Sequence, residues 1–494
     1  MPTGHNTDQP GNSANTSQSK MNFKLWRTLI ILLLAQFMMA VDFSILNVAL
    51  PEIGNALGFS LSGIQWIVTS FALAAAGFTL FFGRLGDYIG RLKLFVAGMV
   101  LLGISSLVGG LAESQAVLLG ARIAQGLSTA MVTPTAMSLL TTSFPEGPLR
   151  NRALGMNGAI MSAGFTTGAI LSGVLLDFLS WRWLFFVNVP IAAIVVVMAP
   201  MFIQEAKRPA NKGRVNLDMP GAVLVTAAVL SLVYGITALG DHGADAVLGV
   251  EALVLSVVLF LAFFMVERRA AEPLVPLSIL GRRSVALGNI MGLLAFATET
   301  SLVFLMTLYM QKVLNLSGSM TGAAFAVLGL GTVLGGTLAP RVMGAIGKKG
   351  ALLAGFFLQA VATAALIWLT MDSASMMLLL VATFLGGIGN MLAIVGFMTV
   401  ATSGLPNEQQ GLATGLAILT QQFGITIGIP VMSAIATARM SALGGSDGSS
   451  DLPTETILDG ILFAVAINVA LVALGFLVAM MLTSRKAASQ EVPG

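Results

Sequence analysis

Leu29-Ile30-Ile31-Leu32-Leu33-Leu34-Ala35-Gln36-Phe37-Met38-Met39-Ala40-Val41-Asp42-Phe43-Ser44-Ile45-Leu46-Asn47-Val48-Ala49-Leu50-Pro51 is an apolar run with one carboxylate inside it. A helix that crosses the hydrocarbon of a bilayer needs about 20 apolar residues, and the stretch from Leu25 to Pro51 is long enough. An ionised Asp at the middle of such a helix costs roughly 2.5–3.5 kcal/mol on insertion scales. A chain that keeps one needs a partner for it, a water-filled cavity beside it, or a proton for it to carry. A second acid, Glu299, sits in Ala297-Thr298-Glu299-Thr300-Ser301, about halfway along another apolar run. Nearly all other acids fall at the ends of such runs or between them.

Composition sets the class. The chain has 494 residues, 56% hydrophobic and 10% charged, with a mean hydropathy of +0.90. Soluble domains carry about 25% charged residues, so the pattern is that of a polytopic membrane protein. Cysteine is absent and only two His occur, His5 and His242. That excludes a disulfide framework, a thiolate metal site and a cysteine nucleophile. No P-loop, metal cluster or hydrolase triad is present, so neither an enzyme nor an ATP-driven pump is expected, and no cofactor, metal or nucleic-acid partner.

Apolar segments recur at 25–50, 63–83, 94–112, 116–141, 153–179, 183–203, 218–240, 248–266, 285–311, 320–342, 350–371, 375–402, 411–438 and 459–483, predicting fourteen transmembrane helices. An even number places both termini on one side. Of the 25 Lys and Arg residues, only Arg182, Lys312 and Arg439 fall on the opposite side, and Arg122 lies within a helix. The positive-inside rule then makes both termini cytoplasmic. The expected organisation is a disordered cytoplasmic tail (1–23), a six-helix bundle (24–203), cytoplasmic links with two inserted helices (204–284), a second six-helix bundle (285–484) and a cytoplasmic tail (485–494).

The two bundles read as a pseudo-repeat. Gly155, Gly164 and Gly168 in the fifth segment share the spacing of Gly415, Gly424 and Gly428 in the thirteenth, and Gly83-Arg84-Leu85-Gly86 is echoed by Gly336-Thr337-Leu338-Ala339. Glycines so spaced make a smooth helix face on which another backbone can lie closely. By the same symmetry the first and ninth segments are partners, each bringing one carboxylate toward a shared central cavity.

The link between the second and third segments reads Gly83-Arg84-Leu85-Gly86-Asp87-Tyr88-Ile89-Gly90-Arg91-Leu92-Lys93. Gly83 and Gly90 suit a tight turn, and Asp87 suits a helix N-terminus or an Arg. The stretch resembles the signature loop of the major facilitator superfamily, with Gly86 and Tyr88 as departures. Arg122-Ile123-Ala124-Gln125-Gly126 is similar to the family's helix 4 motif. Gly155, Gly164, Gly168 and Gly173 resemble the antiporter motif of drug exporters, with Ala169 where Pro usually stands. Val41-Asp42-Phe43-Ser44-Ile45-Leu46-Asn47-Val48-Ala49-Leu50-Pro51 and Trp181-Arg182-Trp183-Leu184-Phe185-Phe186-Val187-Asn188-Val189-Pro190 resemble fourteen-helix drug:proton antiporters.

The resemblance implies an all-α major facilitator fold and a proton-coupled exporter of amphipathic, often cationic compounds in a bacterial cytoplasmic membrane. The proton-motive force would drive it by alternating access, with a monomer as the working unit. Asp42, Glu299 and Arg122 would handle protons, with Arg122 pairing with Asp42 in only part of the cycle. Gly83, Asp87, Gly90 and Arg91 would form the conformational gate. Withdrawal from water favours the neutral form of a carboxyl group, which suits a proton carrier. The expected substrate-binding residues are Phe37, Phe43, Trp66, Phe296, Asn390, Gln421 and Gln422, with Phe71 and Phe304 as further aromatics. Ring faces attract cations, and the adjacent amides Gln421 and Gln422 need partners inside the bundle. The alternatives are a dedicated exporter of one metabolite or self-made antibiotic, and a non-transporting membrane sensor.

Overall fold

A computed structural model describes residues 21–60, 63–144, 148–204, 219–240, 246–270, 273, 281–402, 407–443 and 452–482. Among them every regular element is helical. The helices are α1 (Phe23–Ile45), α2 (Leu50–Leu57), α3 (Trp66–Ile89), α4 (Arg91–Gly110), α5 (Gln115–Ser143), α6 (Pro148–Phe178), α7 (Trp183–Phe186) and α8 (Asn188–Phe202). There follow α9 (Met219–Gly240), α10 (Ala246–Glu267), α11 (Arg283–Leu308), α12 (Gly318–Ala365), α13 (Ser375–Ala401), α14 (Asn407–Ala442) and α15 (Thr454–Met480). Ten helices among the described residues are long and apolar enough to cross a membrane, and shorter apolar stretches lie at Trp66–Thr79, Ala163–Phe178 and Pro220–Ile236.

Local chemistry sets several of these ends. Ser114 and Ser317 cap α5 and α12, their hydroxyl oxygens accepting from Val117 N at 3.4 Å and Met320 N at 3.3 Å. Gly90 separates α3 from α4 with φ 108°, and Gly347 breaks α12 with φ 76°. Both values lie where an L side chain is strained. These breaks correct two expectations. The turn after α3 is made by Gly90 alone, while Gly83 lies within α3 against Pro134 of α5. The structural counterpart of that turn is Gly347, so the sequence echo at Gly336–Ala339 is out of register by about one helical turn. The first apolar run also ends earlier than expected: α1 stops at Ile45, four turn residues follow, and α2 begins at Leu50. Asp42 therefore lies in the last turn of α1.

Helix contacts fall into two groups. In the first, α1 packs on α5, α6 and α8, α3 on α5, and α4 on α5, α7 and α8; in the second, α11 packs on α13, α14 and α15, and α12 on α13 and α15. The groups meet where α6 lies on α12 and α3 on α14. Small residues permit the first meeting. A Cβ on Gly173 would stand 2.6 Å from Gly318 O, and one on Gly322 would stand 2.8 Å from Ala169 O. Thr426 Oγ1 donates to Ala72 O at 3.0 Å in the second meeting, and Gln311 Nε2 donates to Val48 O at 2.6 Å beside the first. The pair α9–α10 is more than peripheral packing. α9 touches both α3 and α14, and Thr226 Oγ1 donates to Gly77 O across that contact. α10 turns a run of exposed apolar side chains outward, Val250, Val254, Val257, Val258 and Leu261 among them.

The α6–α12 meeting is testable because the chain has no cysteine of its own. Asp177 Oδ1 accepts from Ser319 N at 3.4 Å, so an Asp177→Cys/Ser319→Cys pair is expected to form an intramolecular disulfide under mild oxidant. Maleimide labelling of purified protein should lose both thiols on oxidation and regain them on reduction; persistent labelling would place the two helices further apart.

Candidate functional site

Four helices of the first packing group converge on Asp42. Its side chain is sealed, with 1% of the residue exposed. Arg122 of α5 lies 3.3 Å from Asp42 Oδ2 through Nη1. Gln125, one turn further on, donates to Asp42 Oδ1 at 3.0 Å, and Asn188 at the start of α8 donates to the same oxygen. Ser106 of α4 accepts from Gln125 at 2.9 Å and from Asn188 at 3.1 Å. The spacing of three between Arg122 and Gln125 puts both on one helix face, and Nη1 of the former donates to Oε1 of the latter at 2.8 Å.

Arg122 is held from two further directions. Its Nε donates to Ile67 O at 3.0 Å, and its guanidinium sits 4.3 Å from the centre of the Phe71 ring. Its Nη2 has no hydrogen-bond partner although it is buried. A guanidinium with one uncommitted edge retains a donor for another acceptor. Phe71 meets Phe43 at 6.0 Å between ring centroids, and Phe43 meets Phe165 at 6.1 Å. Phe165 in turn lines a narrow cavity between the groups with Ser44, Asn47, Val303, Phe325 and Thr332. The Arg–Asp pair is thus inside one helix group, and a row of rings connects it to the seam.

Glu299 is placed differently. It stands in α11 and lines a cavity in the second group with Leu302, Met306, Phe325, Gln359, Thr383 and Asn390. The expectation of two carboxylates facing one shared cavity is corrected by the helix register. Gly164 and Gly168 of α6 pack on Phe37–Ala40 and on Val41–Ser44 of α1, while Gly424 and Gly428 of α14 pack on Leu293–Phe296 and on Ala297–Thr300 of α11. That register makes Thr298 the counterpart of Asp42 and Phe43 the counterpart of Glu299. Glu299 thus lies one residue past the position equivalent to Asp42, about 100° around the helix. Thr298 has its own amide shell: Gln359 Nε2 donates to its hydroxyl at 3.2 Å, and Asn468 Nδ2 donates to its carbonyl at 3.1 Å.

The remaining expected residues divide. Gly164 and Gly168 face α1, whereas Gly173 faces α12. Gly155 lies in α6, but its surroundings, like the side chain of Asp87, fall outside the described residues. Arg91 opens α4 and is half-buried. Phe37 and Trp66 are half-buried, and Phe304 is buried. Phe296 is 9% exposed and meets Phe397 edge-on at 6.1 Å; it packs within the second group rather than against the seam. Asn390 is buried and donates to Ala295 O at 3.0 Å. Gln421 and Gln422 correct an expectation: both are half-buried, and neither side chain forms a hydrogen bond among the described residues. Sequence reading passed over Ser106, Gln125, Asn188, Gln359 and Asn468 as site residues. The available signal was a lone amide inside an apolar helix, which must find an internal partner.

A sequence model described as Major Facilitator Superfamily matches residues 32–429. The cephamycin export protein CmcT of Amycolatopsis lactamdurans is 36% identical over 87% of this chain and 88% of its own length. The puromycin resistance protein pur8 of Streptomyces alboniger is 32% identical over 94% of this chain and 93% of its own. Among solved structures, a bacterial homolog of the human lysosomal transporter Spinster, in an inward-facing and unoccupied conformation, superposes with a TM-score of 0.64 at 16% identity, covering 93% of this chain and 98% of that one; it shares the fold.

Removing one member of a buried ion pair costs about 3–5 kcal/mol because the other charge is left alone, while replacing both is far cheaper. Asp42→Asn is therefore expected to lower the melting temperature of the purified protein by several degrees, and Asp42→Asn/Arg122→Leu to recover part of the loss. Additive losses in the double variant, read by nano-scale fluorimetry in detergent, would show that the two side chains do not stabilise each other.

Proposed function

The chain belongs to the Major Facilitator Superfamily, and from that premise we propose that it is a proton-coupled antiporter that exports amphipathic, often cationic drugs, dyes or biocides. The observation that carries this reading is the ion pair of Asp42 with Arg122, buried in one helix group and linked to the seam through Phe71, Phe43 and Phe165. A proton delivered to Asp42 removes the charge that holds Arg122. Its guanidinium then leans on Ile67 O, Gln125 and the Phe71 ring, and its unpartnered Nη2 can donate to a new acceptor. Changing the load on Phe71 alters the packing of Phe43 and Phe165 at the seam, which is where rocking of the two groups must break contacts.

Helix lengths and contacts support the topology of the proposal. α12 is 48 residues long and turns at Gly347; at about 1.5 Å per residue it is more than twice the hydrocarbon thickness of about 30 Å, so it makes two passes. With the shorter apolar stretches counted as passes too, the chain crosses fourteen times and both termini are cytoplasmic. The helix groups then correspond to bundles 24–203 and 285–484, flanking the insert. The contacts Gly173–Gly318 and Gln311–Val48 lie on the outer side, closing that side while the cytoplasmic side admits substrate. Asp42 and Arg122 handle the proton, Gly90 and Arg91 contribute to the gate on the cytoplasmic side, and the protein works as a monomer in a bacterial inner membrane. One charge crossing the membrane is worth about 2.3 kcal/mol per 100 mV, so exchange gains drive when more protons enter than cationic charges leave.

A narrower reading has its own support. The relatives reported above are named for single antibiotics, cephamycin and puromycin, so the cargo is one compound if the cavity is equally selective. A substrate panel separates one cargo from many.

Substrate added to proteoliposomes of purified protein should release protons, read by a pH-sensitive dye. Asp42→Asn is expected to abolish that release and dye efflux while the protein still inserts; normal efflux by the variant would remove Asp42 from the mechanism. Glu299→Gln, which removes a negative charge without touching a drug-sized cargo directly, is expected to impair cationic substrates more than neutral ones, and an equal loss for both would argue against an electrostatic role at that position.

A further inference from the structure

The pocket beside Glu299 is walled mainly by apolar side chains, with three further oxygen-bearing residues, Gln359, Thr383 and Asn390, in its lining. Gln359 and Asn390 line it and are each 2% exposed. Each NH2 donates one N–H away from the carboxylate: Gln359 Nε2 to Thr298 Oγ1 at 3.2 Å, and Asn390 Nδ2 to Ala295 O at 3.0 Å. Those bonds fix which end of each amide is which, and they leave Gln359 Oε1 and Asn390 Oδ1 accepting no hydrogen bond. Thr383, also in the lining, donates its hydroxyl hydrogen to Leu379 O at 2.8 Å, so its oxygen has only lone pairs to offer the pocket. The Glu299 carboxylate has no hydrogen bond or ion pair among the described residues. Asp42, by contrast, has Arg122 as its counter-charge.

Buried carbonyl oxygens without donors are uncommon and call for an explanation. Three neutral oxygens and one carboxylate are the donor types that a hard cation takes. Size narrows the guest. The cavity has about 20 Å³ of room, where a single water needs about 10–15 Å³, and a drug-sized molecule needs a pocket of about 300 Å³ or more. Charge narrows it again: one carboxylate balances a monovalent ion. Mg²⁺ usually keeps several of its waters, for which there is no space.

We infer that this pocket binds a sodium-sized monovalent cation, with the Glu299 carboxylate as charged ligand and Gln359 Oε1, Asn390 Oδ1 and Thr383 Oγ1 as neutral ligands. The second helix group then has an ion site in the region where the first has its Arg–Asp pair. The inference does not need the antiport reading. Failure of substrate-induced proton release would end that reading and leave ion binding untouched.

The test is direct binding of ²²Na⁺ to the purified full-length protein in detergent, at fixed pH, with choline chloride holding ionic strength constant. Saturable binding is expected, displaced by Na⁺ and Li⁺ but not by choline. Glu299→Gln and Asn390→Leu should weaken it at least tenfold, and Glu113→Gln, an exposed acid, should not. As a check on folding, Na⁺ should raise the melting temperature of the wild type but not of Glu299→Gln, while the two melt alike in choline. Absence of saturable binding to the wild type, or binding undiminished in a folded Glu299→Gln, would overturn the inference and leave the pocket to water.

Discussion

A guanidinium and a carboxylate share an interior that no water reaches, and the first helix group is arranged around that fact. Asp42 and Arg122 each need several partners once desolvated. They draw on α4 for Ser106, α5 for Gln125, α8 for Asn188 and the backbone of α3 at Ile67. Five helices are thereby held in one register by polar contacts, in a setting where the lipid supplies no hydrophobic drive for helices to associate. The pair is therefore the structural keystone of that group, with contacts that reach all five helices.

The second helix group repeats the design with its charge removed. Thr298 occupies the place of Asp42, and the amides Gln359 and Asn468 attend it as Gln125 and Asn188 attend the acid. Asn468 Nδ2 also donates to Ser301 Oγ at 2.9 Å. A neutral cluster positions helices just as well but cannot be switched by a proton. The acid of that half, Glu299, has moved one residue along to the cavity face, free of any basic partner among the described residues. The two halves thus differ in their acids: one is paired with an arginine, and the other lines a small cavity.

Glycine does in this fold what apolar burial does in a soluble one. At Gly164, Gly168, Gly424 and Gly428 a Cβ would press into the backbone or side chains of α1 or α11, and at Gly173 into α12. Close backbones gain dispersion contacts that lipid tails would otherwise supply. Ala169 stands where the antiporter motif has Pro, within α6, which runs unbroken from Pro148 to Phe178 and lies along α12 at the seam.

Much of this was legible in the residues. Apolar runs of about 20 residues have to be helices in lipid, because no other open structure satisfies its backbone there, so the class and the approximate segments followed from Leu25–Pro51 and its successors. Asp42, Arg122 and Glu299 were identifiable because an ionisable group in such a run is expensive enough to imply a purpose. Tertiary structure alone decided what each one touches. Faces repeat every 3.6 residues, and a shift of one position turns a side chain by about 100°, so a matching spacing of glycines could not say that Thr298, and not Glu299, is the partner of Asp42. Nor could it say that the lone amides Asn188, Gln359 and Asn468 complete the two clusters: their helices lie far apart in sequence, and only packing brings them within reach of a hydrogen bond.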